Sequence, residues 1–152
     1  MTQPVRQEMT AEHWNNLSAG HLPGLIGIIV TEIASGLSAG RIEPQRHHRA
    51  PNGFLHAATV IGLADTLCGY GCVASLPEGA TGFTTLELKT NFLGTARSGV
   101  IACVAKAAHL GRTRQVWDAT VTHHDTGKTI AMFRCTQMVL YAKQDHRSPQ
   151  PV

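Results

Sequence analysis

Between His56 and Ser75 the stretch HAATVIGLADTLCGYGCVAS carries small or apolar side chains at nearly every position. The spacing predicts a helix of about 20 residues, roughly 30 Å long and apolar on almost every side. Such a helix must be wrapped by sheet. Elsewhere the pattern is that of strands. Leu25 to Ile33 is an apolar, β-branched run suited to a buried strand, and Gly36 to Glu43 is its expected hairpin partner. Four further strands are predicted around 83–92, 99–109, 114–123 and 128–140, separated by the turn segments LGTARSG, HLGRT and HDTGK. In the first of them Leu86, Leu88 and Phe92 alternate with Thr85, Glu87, Lys89 and Asn91, the two-residue period of a half-buried strand.

The expected order is therefore β-β-α-β-β-β-β, an α+β domain with an antiparallel sheet curled around one long central helix. Residues 1 to 9 read as a flexible lead-in, and Thr10 as the N-cap of a short helix that ends near Gly20, with Pro23 and Gly24 as punctuation. The loop PQRHHRAPNGFL, residues 44 to 55, delivers the chain to the long helix. Three segments are expected: 1–20 with the short helix, 21–142 as the folded domain, and a polar tail from Lys143 to Val152 with two prolines.

A chain of 152 residues can bury a core without disulfides or a structural metal. Only 15% of residues are charged against 43% apolar, low for a small monomer, which points to surface buried between copies. The net charge of +3 is scattered, without the basic runs of a nucleic-acid binder, and suits a small anionic ligand better. The four cysteines form no C-x-x-C pair and no apolar signal segment opens the chain, so a reduced, cytoplasmic protein is expected. Cys68 and Cys72, four apart, lack a second ligand pair for zinc, and no metal is expected. Asp65 interrupts the one stretch long enough to cross a membrane, so no span is predicted.

Asp65 lies amid Ile61, Gly62, Leu63, Ala64, Leu67 and Cys68, where an ionised carboxylate is costly unless paired or hydrogen-bonded. Burial would raise its pKa toward the range useful to a general base. A structural carboxylate serving a neighbour's backbone is the plainer alternative. His56 and Ala57 stand at the start of the same helix, where unpaired N–H groups and the positive dipole end favour negative charge. That is an oxyanion hole in waiting, and such a donor is worth about 3 kcal/mol to an anionic transition state. A capping histidine is the alternative for His56. Nine residues, about 900° of helix, separate His56 from Asp65, so they project from opposite sides. If both act on one substrate, two copies of the chain must share the site.

The segment PNGFLHAATVIGLADTLCGYG resembles the helix signature of hotdog-fold acyl-CoA thioesterases of the phenylacetate-pathway (PaaI-like) type, commonly N-x-x-G-x-x-H-G-G followed by L-A-D. TLELKTNFL, HLGRTR and TGKTIA extend the resemblance over roughly residues 20 to 140. It implies hydrolysis of an acyl-CoA at a homodimer interface, usually within a homotetramer of two back-to-back dimers. CoA is then part of the substrate, and no separate cofactor is implied. The family's helix carboxylate matches Asp65, its histidine His56, the N–H that polarises the carbonyl Ala57, and the strand hydroxyl that holds water Thr85, with Thr84 next should the register slip by one. The resemblance leaves Asp65 as base or nucleophile.

Two departures stand out. The family's paired glycines are Ala57 and Ala58 here, which keeps the N–H groups but narrows the approach to them. The usual Asn or Gln six positions before the histidine is Ala50, leaving Asn52, His47 or His48 as substitutes, although Asn52 also suits an Asn-Gly turn. For the CoA phosphates Arg97, Arg112, Arg114 and Lys128 lie in turns, each taken alone more readily a solvated charge. Trp117 and Tyr70 are read as core rather than acyl-pocket residues, His109, His123 and His124 as strand-end surface residues, and Gly69 and Gly71 as marks of close packing. A hotdog hydratase or dehydratase, and a non-catalytic acyl-CoA sensor, are the rival functions. No nucleic-acid-binding segment is read in the sequence, which weakens the second.

Overall fold

His56 opens the long helix by accepting the Ala58 N–H on its Nδ1 at 2.9 Å, and the helix runs Ala57–Ala74. In the computed structural model, which describes residues 9–143, two short helices, α1 (Ala11–Ser18) and α2 (Leu22–Leu25), precede the strands β1 (Ile29–Ala34) and β2 (Leu37–Ile42). The long helix, α3, follows, then β3 (Ala80–Phe92), β4 (Ile101–Leu110), β5 (Arg114–His123) and β6 (Thr129–Tyr141). The expected lead-in and tail lie, apart from Met9 and Lys143, outside the described residues.

Thr10 caps α1 as expected, its side chain accepting the His13 N–H at 3.1 Å. The first strand needs correction: Leu25 ends a one-turn helix instead of opening a strand. Pro23 stands in the first turn of α2, where its fixed φ and missing N–H cost nothing, and Gly27 at φ +73° then turns the chain into β1. Pro23 and Gly24 are thus part of a helix and not a break between elements.

All neighbouring strands are antiparallel, in the order β1-β2-β4-β5-β6-β3, so β1 and β3 are the edges. Val60, Leu63, Leu67, Cys68 and Cys72 of α3 are buried in one core with Ile101, Cys103, Trp117, Val121 and Cys135 of the sheet. Close approach is built in at glycine: a Cβ on Gly71 would lie 2.6 Å from Trp117 Cη2, and one on Gly69 3.1 Å from Phe83 Cζ. Both helix glycines therefore do what their positions suggested. The sheet does not wrap the helix fully, however. Ile61, Gly62, Asp65 and Thr66 are only partly covered, and Ala57 and Ala58 are exposed. This is the hotdog arrangement, with one face of the helix left open in the single chain.

The alternation expected for β3 also changes. Thr85 pairs with Gln137 and Glu87 with Thr136, leaving Leu86 unpaired in a β-bulge. Counting from the pairs, Thr85 points to the same face as Leu88 and Phe92, whose partners Gln137, Cys135 and Ala131 are all buried on the helix side. Thr84, paired with exposed Met138, points to the outer face. His123 departs from a surface role as well: it is half-buried and its Nε2 lies 2.9 Å from Ser98 O.

Candidate active site

Asp65 stands midway along α3 and shares a cavity of about 250 Å3 with Thr85, Trp14, Tyr70 and Phe83. Its Oδ1 is buried and has no hydrogen-bond partner among the described residues. Burial alone raises its carboxyl above the ordinary carboxylate value, because the charged form loses water and gains no partner. Among the described residues no backbone group bonds to this oxygen, as the structural alternative would require.

Three of the chain's eight Phe, Trp and Tyr residues border this cavity. Trp14 stacks on Tyr70, with centroids 4.3 Å apart and planes at 21°. Ser18 Oγ donates to Trp14 O at 2.8 Å, so at 2.6 Å the Tyr70 hydroxyl donates to Ser18. Tyr70 is thus a wall of the cavity as well as a neighbour of the core, whereas Trp117 is fully buried as expected. The contribution of α1 through Trp14 had no signal in the sequence beyond the short capped helix that carries it.

Thr85 presents its side chain to the Asp65 cavity, and its Oγ1 donates to Gln137 Oε1 at 2.8 Å. His56 and Ala57 do not border that cavity. His56 uses Nδ1 as an acceptor, so its proton sits on Nε2, and the Ala58 N–H is consumed by this cap. The Ala57 N–H, by contrast, has no acceptor among the described residues. Of the two donors available at the helix start, one is left over.

The three substitutes for the missing amide differ in their bonding. Asn52 Oδ1 accepts the Phe54 N–H at 3.2 Å in a local turn. His48 is 2% exposed, accepts the Gln45 N–H on Nδ1 at 2.7 Å, and donates from Nε2 to Ile26 O at 2.7 Å. Burial lowers its pKa. His48 is an anchor the sequence did not reveal: its carbonyl accepts both the His56 N–H and the Thr59 hydroxyl, pinning the start of α3. His47 is exposed and packs against His48 at 4.0 Å.

The four cations divide between the two ends of the sheet. The Arg97 guanidinium lies 4.1 Å over the Phe54 ring, beside the start of α3, where Leu55 N–H donates to Ala96 O at 2.9 Å. Lys128 is near, its Cε 3.5 Å from where a Gly94 Cβ would stand. Arg112 lies in the β4–β5 turn and Arg114 opens β5 at the far end, where Gln115 reaches Ser75 O at the end of α3. As for a metal, burial pushes the Cys72 thiol up to about 12, and no three His, Cys, Asp or Glu side chains come together for an ion among the described residues.

Residues 52–130 match the family model of the thioesterase superfamily. The chain is 29% identical over 111 residues to 1,4-dihydroxy-2-naphthoyl-CoA hydrolase of Listeria monocytogenes, covering 73% of this chain and 89% of that protein. Among solved structures it is similar to a mutant of thioesterase PA1618 from Pseudomonas aeruginosa, with TM-score 0.83 and 28% identity over 91% of this chain and 99% of that one. Thioesterase HI1161 from Haemophilus influenzae follows with TM-score 0.82 and 25% identity, over 91% and 95%. Fold, matched segment and relatives agree: the chain belongs to the thioesterase superfamily and is a thioester hydrolase.

Proposed function

We propose that this hydrolase acts on acyl-CoA thioesters, with Asp65 as the group that drives cleavage, as general base or nucleophile. The single observation that carries the reading is the partnerless, half-buried Asp65 carboxyl in a cavity it shares with the Thr85 hydroxyl. A desolvated carboxylate with no competing donor is a stronger base than one in water. The aromatic walls Trp14, Tyr70 and Phe83 favour an aromatic acyl group, in keeping with the naphthoyl-CoA hydrolase among its relatives.

The Ala57 N–H supplies the oxyanion donor, with the His56 Nε2–H beside it. Because these groups stand apart from the Asp65 cavity, the site is completed by a second copy of the chain. The open face of α3 and the exposed, apolar edge strand β3, with Leu86, Leu88 and Phe92, support a homodimer. Pairs of dimers then make the homotetramer. Arg97 and Lys128, at the helix start, serve the CoA phosphates, and Arg112 and Arg114 have a weaker claim from the far end.

Thiol release from acetyl-, hexanoyl- and benzoyl-CoA by the native protein tests this reading. Turnover, fastest on benzoyl-CoA, is expected, and no release from any of the three would overturn acyl-CoA as the substrate.

A further inference from the structure

Gln137 is a fully buried amide on the helix side of β6, between Cys135 and Val139. An apolar residue would fill that position at less cost, since a buried amide must find partners. Its cross-strand neighbour is no partner: Gln115 accepts from Trp117 Nε1 at 2.8 Å and donates to Ser75 O at 3.0 Å. Gln137 instead accepts the Thr85 hydroxyl hydrogen at 2.8 Å, while its Nε2 has only Cys135 Sγ at 3.4 Å.

We propose that Gln137 is a positioning residue for hydrolysis: by taking the Thr85 hydrogen it turns the lone pairs of Thr85 Oγ1 toward the Asp65 cavity, where they accept one hydrogen of the attacking water. This rests on Asp65 as the group that activates water. The other hydrogen of that water goes to the Asp65 carboxylate, which lines the same cavity. With both hydrogens engaged, a lone pair on the water oxygen is left for the thioester carbonyl carbon. As that C–O bond forms, the carbonyl π pair moves to its oxygen and the water proton passes to Asp65. Collapse restores the carbonyl, breaks the C–S bond, and returns the proton to the departing thiolate, giving acid and thiol.

Without Gln137 the Thr85 hydroxyl would be free to turn its hydrogen into the cavity, toward Asp65. A donor on a carboxylate stabilises the ionised form and makes it a poorer base. The amide therefore keeps Thr85 from quenching the group it serves.

The test compares the native protein with Gln137→Met, Thr85→Val, Asp65→Asn and the Gln137→Met/Thr85→Val double variant on benzoyl-CoA, following thiol release against pH together with thermal melting. Gln137→Met is expected to lower kcat about tenfold with KM within about twofold, and to move the acid limb of the rate profile to lower pH. Added to Thr85→Val it should cost nothing more, because its effect runs through Thr85. Gln137→Leu serves the same comparison should Gln137→Met fail to fold. A variant that melts earlier but keeps native kcat and acid limb, or whose loss multiplies with that of Thr85→Val, would overturn the role of Gln137 while Asp65→Asn is inactive. An active Asp65→Asn would overturn the role of Asp65 and this proposal with it.

Discussion

Thr85 and Asp65 border one cavity because the bulge at Leu86 turns the Thr85 side chain to the helix side of β3. A strand of unbroken period would have set Thr85 opposite Leu88. Thr85→Val is therefore expected to lower kcat about tenfold, whereas Thr84→Val, on the outer face, leaves thiol release near native. Equal losses in the two variants would place the wrong hydroxyl at the site.

The proposed oxyanion donor can be removed without removing the helix. Proline is favoured at the first helical position, and the extended backbone of His56, φ −70° and ψ 139°, accepts a following proline. Ala57→Pro should thus fold with native helix content yet lose about 100-fold in kcat. If two copies share each site, co-refolding Ala57→Pro with Asp65→Asn restores about a quarter of native turnover through hybrid dimers. A mixture as inactive as its parts would place both groups in one subunit.

Much of the architecture was legible because it rests on periodicity: the α3 apolar run, the hairpin turns and β5 at Arg114–His123 follow from spacing alone. What escaped were local backbone events. The bulge at Leu86 has no residue signature, and the Pro23 turn reads equally as a break or a helix start. Asp65 stood out as a carboxylate in an apolar run. Gln137 did not, because an amide in a strand is unremarkable until its burial and its bond to Thr85 are seen.

Gly71 sets the distance between α3 and the sheet. On helix propensity alone Gly71→Ala would gain about 1 kcal/mol. Its Cβ, however, would stand 2.6 Å from Trp117 Cη2, inside a ring that is fully buried and held by its Nε1–H on Gln115. The net expected is a loss of about 1–3 kcal/mol, read as a lower denaturation midpoint in urea. A midpoint at or above native would show that α3 can shift freely on the sheet.

His48 sets an acid limit on stability. Its folded pKa is depressed by burial, so the unfolded chain binds the proton more readily. The stability this neutral imidazole contributes is complete above the unfolded value near 6.5 and is lost as pH falls through the lower folded value. Melting temperature should fall from pH 7 to pH 5 in the native protein, and fall less steeply in His48→Gln. Parallel curves would remove His48 as the cause.

Asp65 works in the opposite sense, its raised folded pKa meaning that the ionised carboxylate costs stability at neutral pH. The most direct measurement is kcat for thiol release at pH 7.5 by native protein and Asp65→Asn, with melting of both recorded in the same buffer. The expected result is a loss of about 100-fold or more in kcat alongside a melting temperature equal to or above native. A folded Asp65→Asn that releases thiol at the native rate would contradict Asp65 as the driver of hydrolysis.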